Sequence, residues 1–159
     1  MGSTGYAHSY AIKQNSGRTV SFWGSKVILY ATGEETKGAY AIFQYVAPPN
    51  QPGPGLHVHR NFDETFFVLE GILRLQLGNE EFVLEQGGFA IAARGTPHRP
   101  ENVGSGLLRG LSVVTPAGFE QYFVDLSALA ASLPSRPPSP EQIQEIAAKY
   151  DVYLPQDKG

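Results

Sequence analysis

Two histidines and a glutamate that lie close together constrain this chain more than any other feature. His57 and His59 are separated by one residue, and Glu64 follows them. Side chains alternate between the two faces of a strand, so the two histidines should point the same way, about 6.6 Å apart along the backbone. Two imidazoles on one face can bind a single metal ion, and a turn over residues 60–63 would bring the Glu64 carboxylate to the same point. The same spacing also fits a surface pair of histidines near an ordinary carboxylate.

A second segment supplies a third candidate imidazole. Residues 87–102 contain a short apolar run over 89–93, a turn over 94–97 and then His98. The hairpins between the two segments are short, so a compact β fold can bring them together. Three histidines and one glutamate form a ligand set suited to a first-row divalent metal ion. The sequence therefore predicts a metal site made of His57, His59, Glu64 and His98.

Both segments resemble the motifs of the cupin family. The first motif reads Gly-x5-His-x-His-x(3 or 4)-Glu-x6-Gly, and the chain matches it from His57 to Gly71, with Gln51 in place of the leading glycine. The second motif reads Gly-x5-Pro-x-Gly-x2-His-x3-Asn, and Ala93 stands in place of its proline. The chain matches its other positions at Gly87, Gly95, His98 and Asn102. Neither departure falls on a ligand position.

Within the cupins, residues 63–71 and 114–123 look like small single-domain quercetinase-like (quercetin 2,3-dioxygenase-like) proteins. This resemblance implies a dioxygenase that cleaves the central ring of a flavonol or related hydroxyketone with O2 and releases carbon monoxide. It implies one divalent transition metal ion per chain, and the ligand set does not choose among nickel, manganese, iron, cobalt, copper and zinc. It also implies that Glu64, besides binding the metal, is the base that takes the proton of the flavonol hydroxyl.

Two other functions remain open at this point, because a fold and a metal site do not determine a reaction. One is a non-redox metal-dependent isomerase, cyclase or dehydratase that acts in a biosynthetic pathway on a polyketide-like or aromatic hydroxyketone. The other is a small-molecule binding module in which the metal is a structural clamp. Oxygen uptake with quercetin distinguishes the dioxygenase from both alternatives, and turnover without oxygen identifies the isomerase class.

The distribution of apolar residues predicts an all-β fold, an antiparallel β-barrel or jelly roll followed by C-terminal helices. Strands are expected over 19–23, 26–32, 39–46, 64–70, 72–77, 80–85, 89–93 and 107–114. Thr115 and Pro116 have the residue types of a helix start, so a first helix is expected from there to about Ser132. Ser139 and Gln142 form the capping box of a second helix that ends near Tyr150.

We expect one domain overall, with a flexible N-terminal arm over 1–17, the β-barrel over 18–114, and helices and tail packed on it over 115–159. Residues 33–38 are expected to form a loop and residues 151–159 a tail. The connector over 47–55 contains four prolines and two glycines, so it cannot join a central ladder; it either lines the rim of a pocket or only joins two strands.

One further side chain has two interpretations. Arg109 lies within the last predicted strand, on the face of Leu111 and Val113. A buried arginine there could bind an anion, but a salt bridge at an edge or interface is the commoner arrangement for a charged residue in a strand.

Composition restricts the partners. The chain has 159 residues, enough for a hydrophobic core, and a formal net charge of -3 without a basic stripe, so we expect no nucleic-acid partner. It has no cysteine, which excludes disulfides and thiolate ligands. Neither a signal-peptide pattern nor a long apolar stretch is present, so we expect a cytoplasmic protein without a membrane partner.

The expected partners are therefore a small aromatic or polyketide-like substrate, dioxygen in the dioxygenase hypothesis, and a second copy of the chain. The strand predicted over 26–32 would leave an exposed sheet edge in a monomer. Because dimerisation is one way to cover such an edge, and is common among cupins, we expect a homodimer.

Overall fold

The chain folds into antiparallel strands with helices at its C-terminal end. The computed structural model describes residues 9–13, 16–51, 53–133 and 137–155. The strands of this part of the chain are β1 Arg18–Phe22, β2 Ser25–Ala31, β3 Ala41–Ala47, β4 Asp63–Glu70, β5 Leu73–Leu77, β6 Glu80–Leu84, β7 Phe89–Ala92, β8 His98–Asn102 and β9 Leu108–Thr115. Its helices are α1 Gly33–Thr36, α2 Glu120–Ser132 and α3 Pro140–Lys149. None of the helices in these ranges is both long enough and apolar enough to cross a membrane.

The strands form two sheets. The larger has the order β1-β2-β3-β9-β4-β7 and the smaller has the order β6-β5-β8, and the strand pairs in both are antiparallel. The predicted all-β class with C-terminal helices is confirmed. Within the described residues the two sheets are separate, so the ladder does not close into one continuous barrel.

Two apolar clusters form the core. The first lies between the sheets, where alternate residues of β4 and β5 point inward, namely Phe66, Val68, Leu73 and Leu75, and pack with Leu108 of β9. The second joins the larger sheet to the helices and includes Phe43, Val114, Phe119, Tyr122 and Leu126. The period-two alternation along β4 and β5 explains these inward faces, because Phe66, Val68, Leu73 and Leu75 are almost completely buried.

Strand β8 was not predicted from the sequence. Pro100 lies at its centre, and a proline cannot donate a hydrogen bond to a neighbouring strand. The strand is tolerated because it lies at the edge of the smaller sheet, where it pairs only with β5 among the named strands. Its first residue is His98, so this edge strand positions a predicted metal ligand.

The segment predicted as a loop over 33–38 contains the short helix α1, so that prediction is wrong. Thr32 and Glu35 form a capping box: the Thr32 hydroxyl accepts a hydrogen bond at the helix start, and Glu35 Oε2 accepts one from the Thr32 N–H at 2.7 Å. The pattern Thr-x-x-Glu was present in the sequence and is a known signal for a helix start.

The predicted start of the first C-terminal helix is also wrong. Thr115 is the last residue of β9 and pairs with Asp63. Gly118 has a φ of 132°, which an α-helix does not allow, so α2 begins only at Glu120. The buried Glu120 carboxylate then accepts hydrogen bonds from Gly33 N–H and Gly118 N–H, both at 2.7 Å, and so joins the start of α2 to the start of α1.

Other predictions agree with the structure. The second C-terminal helix has the predicted capping box, with Ser139 and Gln142 bonded to each other's backbone, and it ends before Tyr150. Arg109 forms an ion pair with Glu70 at 2.9 Å, which is the commoner of its two interpretations. Residues 1–8 and 14–15 of the predicted N-terminal arm lie outside the described residues.

Candidate metal centre

The four side chains predicted as ligands lie together. His57 and His59 come from the segment before β4, Glu64 is the second residue of β4, and His98 is the first residue of β8. All four are buried. Each offers one ligand-type atom, and these atoms all lie within 4.8 Å of one another. Residues from three separate parts of the chain therefore meet at one point.

Backbone pairing explains why the imidazoles converge. His57 and His98 face each other across an isolated antiparallel bridge, with N–H to carbonyl distances of 3.0 and 2.8 Å. Their ring centroids are 4.3 Å apart, and those of His57 and His59 are 4.9 Å apart. The expectation that His57 and His59 point the same way is confirmed. The smaller sheet thus continues, through this bridge, into the segment that carries the first two histidines.

The hydrogen bonds of the imidazoles determine which nitrogen carries the proton. Nδ1 of each ring lies beside a backbone carbonyl: that of His57 at 2.7 Å from Gly55 O, that of His59 at 2.9 Å from Asp151 O, and that of His98 at 3.0 Å from Thr96 O. A carbonyl oxygen only accepts, so each Nδ1 must carry the hydrogen and donate it. The Nε2 atom of a neutral ring is then left with its lone pair.

The unpaired Nε2 atoms fit a metal ion. Nε2 of His59 and Nε2 of His98 each lie 3.4 Å from Glu64 Oε2, and neither has a hydrogen-bond partner among the described residues. Metal-binding histidines usually donate the other ring N–H to a carbonyl or carboxylate, as these rings do. Three nitrogen donors and one carboxylate suit a first-row divalent ion.

Burial and charge shift the pKa values of this cluster in different directions. Burial, together with the charge of His98, lowers the pKa of His57 to about 4, so this ring is neutral at pH 7. Burial alone would raise the pKa of Glu64, but in the absence of metal, contact with the His59 and His98 rings, when these carry a proton at Nε2, outweighs burial and lowers the pKa to about 2. Burial would lower the pKa of His98, yet contact with Glu64 raises it. A buried anionic carboxylate therefore stands among imidazoles, and a divalent cation would replace a proton as its partner.

Asp151 contacts the candidate site in a way that the sequence did not reveal. Its backbone carbonyl accepts the hydrogen bond that orients His59, and its carboxylate accepts from Arg60 N–H at 2.8 Å and Asn61 N–H at 2.6 Å. Tyr153 then pairs with Val58 across an isolated bridge. The prediction of a tail over 151–159 is therefore wrong for 151–153, while 156–159 lie outside the described residues. A local sequence pattern does not predict a contact between residues 92 positions apart.

The turn before His98 is held by an ion pair. The Asp63 carboxylate accepts from Arg94 N–H at 2.8 Å and from the Arg94 guanidinium at 3.0 Å, and these hydrogen bonds lower the pKa of Asp63 to about 2. The next residue, Gly95, donates its N–H to His59 O at 2.6 Å. The turn that supplies Thr96 O to His98 is thereby tied to both β4 and the first histidine segment.

A cavity of about 150 Å³ adjoins the cluster, and His57 and Glu64 form part of its wall. Most of the lining is apolar and includes Val27, Phe43, Phe66, Leu108, Phe119 and Phe123. Four described residues of the connector, Ala47, Gln51, Gly53 and Pro54, line the pocket; residue 52 lies outside the described residues. Asn102, the last motif position, donates from Nδ2 to Pro48 O at 2.9 Å and so holds this connector in place.

Comparisons with known proteins agree with this architecture. A family model described as a cupin domain matches residues 43–114, which contain all four clustered side chains. The quercetin 2,3-dioxygenase of Bacillus subtilis (strain 168) is 30% identical over 89 residues, which cover 56% of this chain and 26% of the relative. The chain thus matches about a quarter of the length of that curated relative.

Two solved structures share the fold. KdgF from Halomonas sp. is 14% identical with a TM-score of 0.63, and the match covers 72% of this chain and 99% of that one. A sugar phosphate isomerase of the cupin superfamily from Silicibacter pomeroyi is 19% identical with a TM-score of 0.57, and the match covers 67% of this chain and 75% of that one. At these identities the likeness concerns the fold alone.

The first prediction concerns metal content. The parent protein should hold about one divalent ion per chain, since three imidazoles and a carboxylate complete a four-ligand set. His57→Ala and His98→Ala should each lose most of that metal, because each removes a nitrogen donor from a buried site. Glu70→Gln, at the exposed end of β4, is the matched control and should keep its metal. Elemental analysis after gel filtration measures the content, and full occupancy in His98→Ala would contradict the site.

The second prediction concerns Asp151. Asp151→Ala removes the carboxylate that holds Arg60 and Asn61, so the backbone that orients His59 should loosen and metal affinity should fall roughly tenfold or more. Asp125→Ala is the control, because Asp125 accepts from Tyr150 Oη at 2.9 Å in the same C-terminal region but does not contact the cluster. Competition with a chromogenic chelator measures both affinities. Equal losses in the two variants would show that Asp151 acts only through general stability.

Proposed function

Since the chain belongs to the cupin family through residues 43–114, we propose that it is a metal-dependent, quercetinase-like dioxygenase that cleaves a flavonol or related hydroxyketone with O2. The observation that carries this proposal is the buried cluster of three imidazoles and a carboxylate, two members of which, His57 and Glu64, line an apolar cavity. The sequence similarity to a quercetin 2,3-dioxygenase supports oxygen chemistry in particular.

His57, His59, Glu64 and His98 are the residues that would hold the metal ion. When bound, a divalent transition metal supplies Lewis acidity, which makes a hydroxyl of a bound substrate more acidic. This set of ligands does not identify the metal, because imidazole and carboxylate bind all six candidates: nickel, manganese, iron, cobalt, copper and zinc.

Glu64 is the residue we assign as the base. Its carboxylate is ionised at neutral pH and so has an oxygen lone pair that a substrate proton can reach. It also lines the cavity, which gives a substrate hydroxyl access to its carboxylate. Proton transfer requires the two oxygens to come within hydrogen-bond reach, roughly 2.6–3.2 Å. We propose that Glu64 takes the hydroxyl proton of the substrate in addition to its part in the ligand set.

The aromatic wall of the cavity determines how a substrate lies. Phe43, Phe66 and Phe119 present flat apolar surfaces next to the polar cluster. A planar ring gains from burial against such surfaces, while its acidic hydroxyl is directed toward Glu64. The same walls exclude water from the anionic form of the substrate, which favours its reaction with oxygen over its reprotonation by solvent.

Oxygen consumption tests the proposal. Protein loaded separately with each of the six candidate metals should consume O2 with quercetin and release carbon monoxide for at least one of them. A sealed anaerobic assay with the same samples separates the alternatives. Conversion of a hydroxyketone without oxygen would indicate the isomerase class, and binding of quercetin without any conversion would indicate a binding module. Either result would replace the dioxygenase proposal.

The third prediction concerns Glu64. Glu64→Gln keeps the shape and one oxygen donor but removes the proton acceptor, so turnover per bound metal should fall by about two to four orders of magnitude. Rates must be divided by metal content, since a weaker ligand also lowers occupancy. Glu70→Gln on the same strand is the control and should retain the parent rate. If Glu64→Gln has the same turnover per bound metal as the parent, Glu64 is only a metal ligand and its assignment as the base is wrong.

The fourth prediction concerns assembly. The edge expected at 26–32 is not exposed, because β2 pairs with both β1 and β3. The outer face of β4 and β7 instead carries exposed apolar residues, with Phe67 opposite Phe89, which is 58% exposed, and Ile91, which is 52% exposed. We propose that this face joins two copies in a homodimer, since such patches mark interaction sites. Light scattering should give a dimer mass for the parent and a monomer mass for Ile91→Lys; a monomeric parent at micromolar concentration would refute the proposal.

A further inference from the structure

Two buried polar atoms in the cavity lack partners. The hydroxyl of Tyr45 and the side-chain oxygen of Gln51 are buried, and the described residues offer neither of them a hydrogen bond. Both side chains line the cavity that also includes His57 and Glu64. Buried polar groups in proteins are normally paired, so an unpaired one inside a binding cavity suggests a partner that arrives with a ligand.

The position of Tyr45 is determined by a glycine on the neighbouring strand. Tyr45 lies on β3 and pairs with Gly110 on β9. A Cβ atom at Gly110 would overlap the Tyr45 hydroxyl and ring, so the absence of a side chain there lets the tyrosine lie across β9. Burial raises the pKa of Tyr45, and the charge of Glu64 raises it further. The hydroxyl therefore remains protonated at neutral pH and is available as a hydrogen-bond donor.

Gln51 provides the complementary acceptor near the edge of the cavity. Its Nε2 donates to Trp23 O at 2.9 Å, and because a carbonyl only accepts, this bond identifies the other end of the amide as the oxygen. That oxygen lies close to Gly24, in the turn between β1 and β2: a Cβ atom added there would be 3.5 Å from it. Gln51 belongs to the connector between β3 and the first histidine segment.

We propose that Tyr45 and Gln51 recognise the ligand of this site, and that the ligand is a planar aromatic molecule bearing several hydroxyl groups. Tyr45 donates to a ligand oxygen in the interior, and Gln51 accepts from a second hydroxyl near the connector. A cavity of about 150 Å³ holds on the order of one aromatic ring, so a larger ligand extends past Gln51 toward solvent. This inference rests on the proposed function for the position of the reacting hydroxyl at Glu64.

A third buried hydroxyl supplies the control. Ser112 Oγ is completely buried and also unpaired within the described part of the chain, but Ser112 does not line the cavity. It lies on β9 opposite Phe43 of β3. Ser112→Ala and Tyr45→Phe therefore remove the same kind of atom from neighbouring inward positions, and only one of them faces a ligand.

Unfolding experiments test whether the Tyr45 hydroxyl is free. Removing an unpaired hydroxyl breaks no internal bond, so Tyr45→Phe should unfold at the same denaturant concentration as the parent or a higher one. Ser112→Ala should likewise unfold at the same denaturant concentration as the parent or a higher one. A clear decrease of the Tyr45→Phe midpoint, with Ser112→Ala unchanged, would show that Tyr45 has a structural partner and would overturn the proposal.

Binding experiments test recognition. Quercetin and 3-hydroxyflavone share the hydroxyketone but differ in their outer hydroxyls, and both change absorbance on binding. Titrations under anaerobic conditions into zinc-loaded protein should show about tenfold weaker binding of both probes to Tyr45→Phe, as expected for one lost hydrogen bond. Ser112→Ala should bind like the parent. A loss below threefold in Tyr45→Phe, or a parent that binds neither probe, would overturn the proposal.

The two probes also isolate Gln51. The parent should prefer quercetin to 3-hydroxyflavone, and Gln51→Leu should reduce that preference to about one, because it removes the acceptor for an outer hydroxyl. An unchanged preference would remove Gln51 from the proposal. These experiments test the recognition site and the dioxygenase activity separately. Binding that depends on Tyr45, without oxygen uptake, would refute the dioxygenase proposal but support the recognition site. Oxygen uptake, with unaltered binding to Tyr45→Phe, would support the dioxygenase proposal but refute the recognition site.

Discussion

Three hydrogen bonds from imidazole Nδ1 atoms to backbone carbonyls are the interactions on which the candidate site depends. They orient the three rings so that Nε2 of His59 and Nε2 of His98 lie 3.4 Å from Glu64 Oε2, with His57 in the same cluster. Two of the carbonyls lie two residues before the histidine that they orient, whereas the third belongs to Asp151, far along the chain. A side-chain rotation in any of these rings would break one bond and leave the cluster with fewer inward-facing donors.

The third carbonyl makes the C-terminal helices part of the site. Asp151 follows α3, and Tyr150 joins α3 to α2 through its hydrogen bond with Asp125. At its other end α2 begins with Glu120, whose buried carboxylate holds the backbone of α1. The three helices are thus linked to one another by hydrogen bonds, and Asp151 links them to His59.

Most of the sequence-based errors have a common cause. Local patterns predicted the strands well, since alternation depends only on neighbouring residues. They failed where tertiary contacts override propensity: Thr115 continues β9 by pairing with Asp63 although Pro116 resembles a helix start, and β8 contains Pro100 because it lies at an edge. The helix at 33–36 differs, since its Thr32–Glu35 capping box was legible in the sequence.

The sequence by itself determined the candidate ligands, the shared face of His57 and His59, the all-β class and the inward faces of β4 and β5, because spacing and residue type decide these features locally. Only the tertiary structure decided that Asp151 orients His59 and that His59 and His98 present unpaired Nε2 atoms. The same holds for the unpaired atoms of Tyr45 and Gln51, two residues that line the cavity, within the described residues. These features depend on packing between segments as far as 92 residues apart. The spacing of residues along the sequence does not predict which distant carbonyl or glycine will lie beside a given side chain.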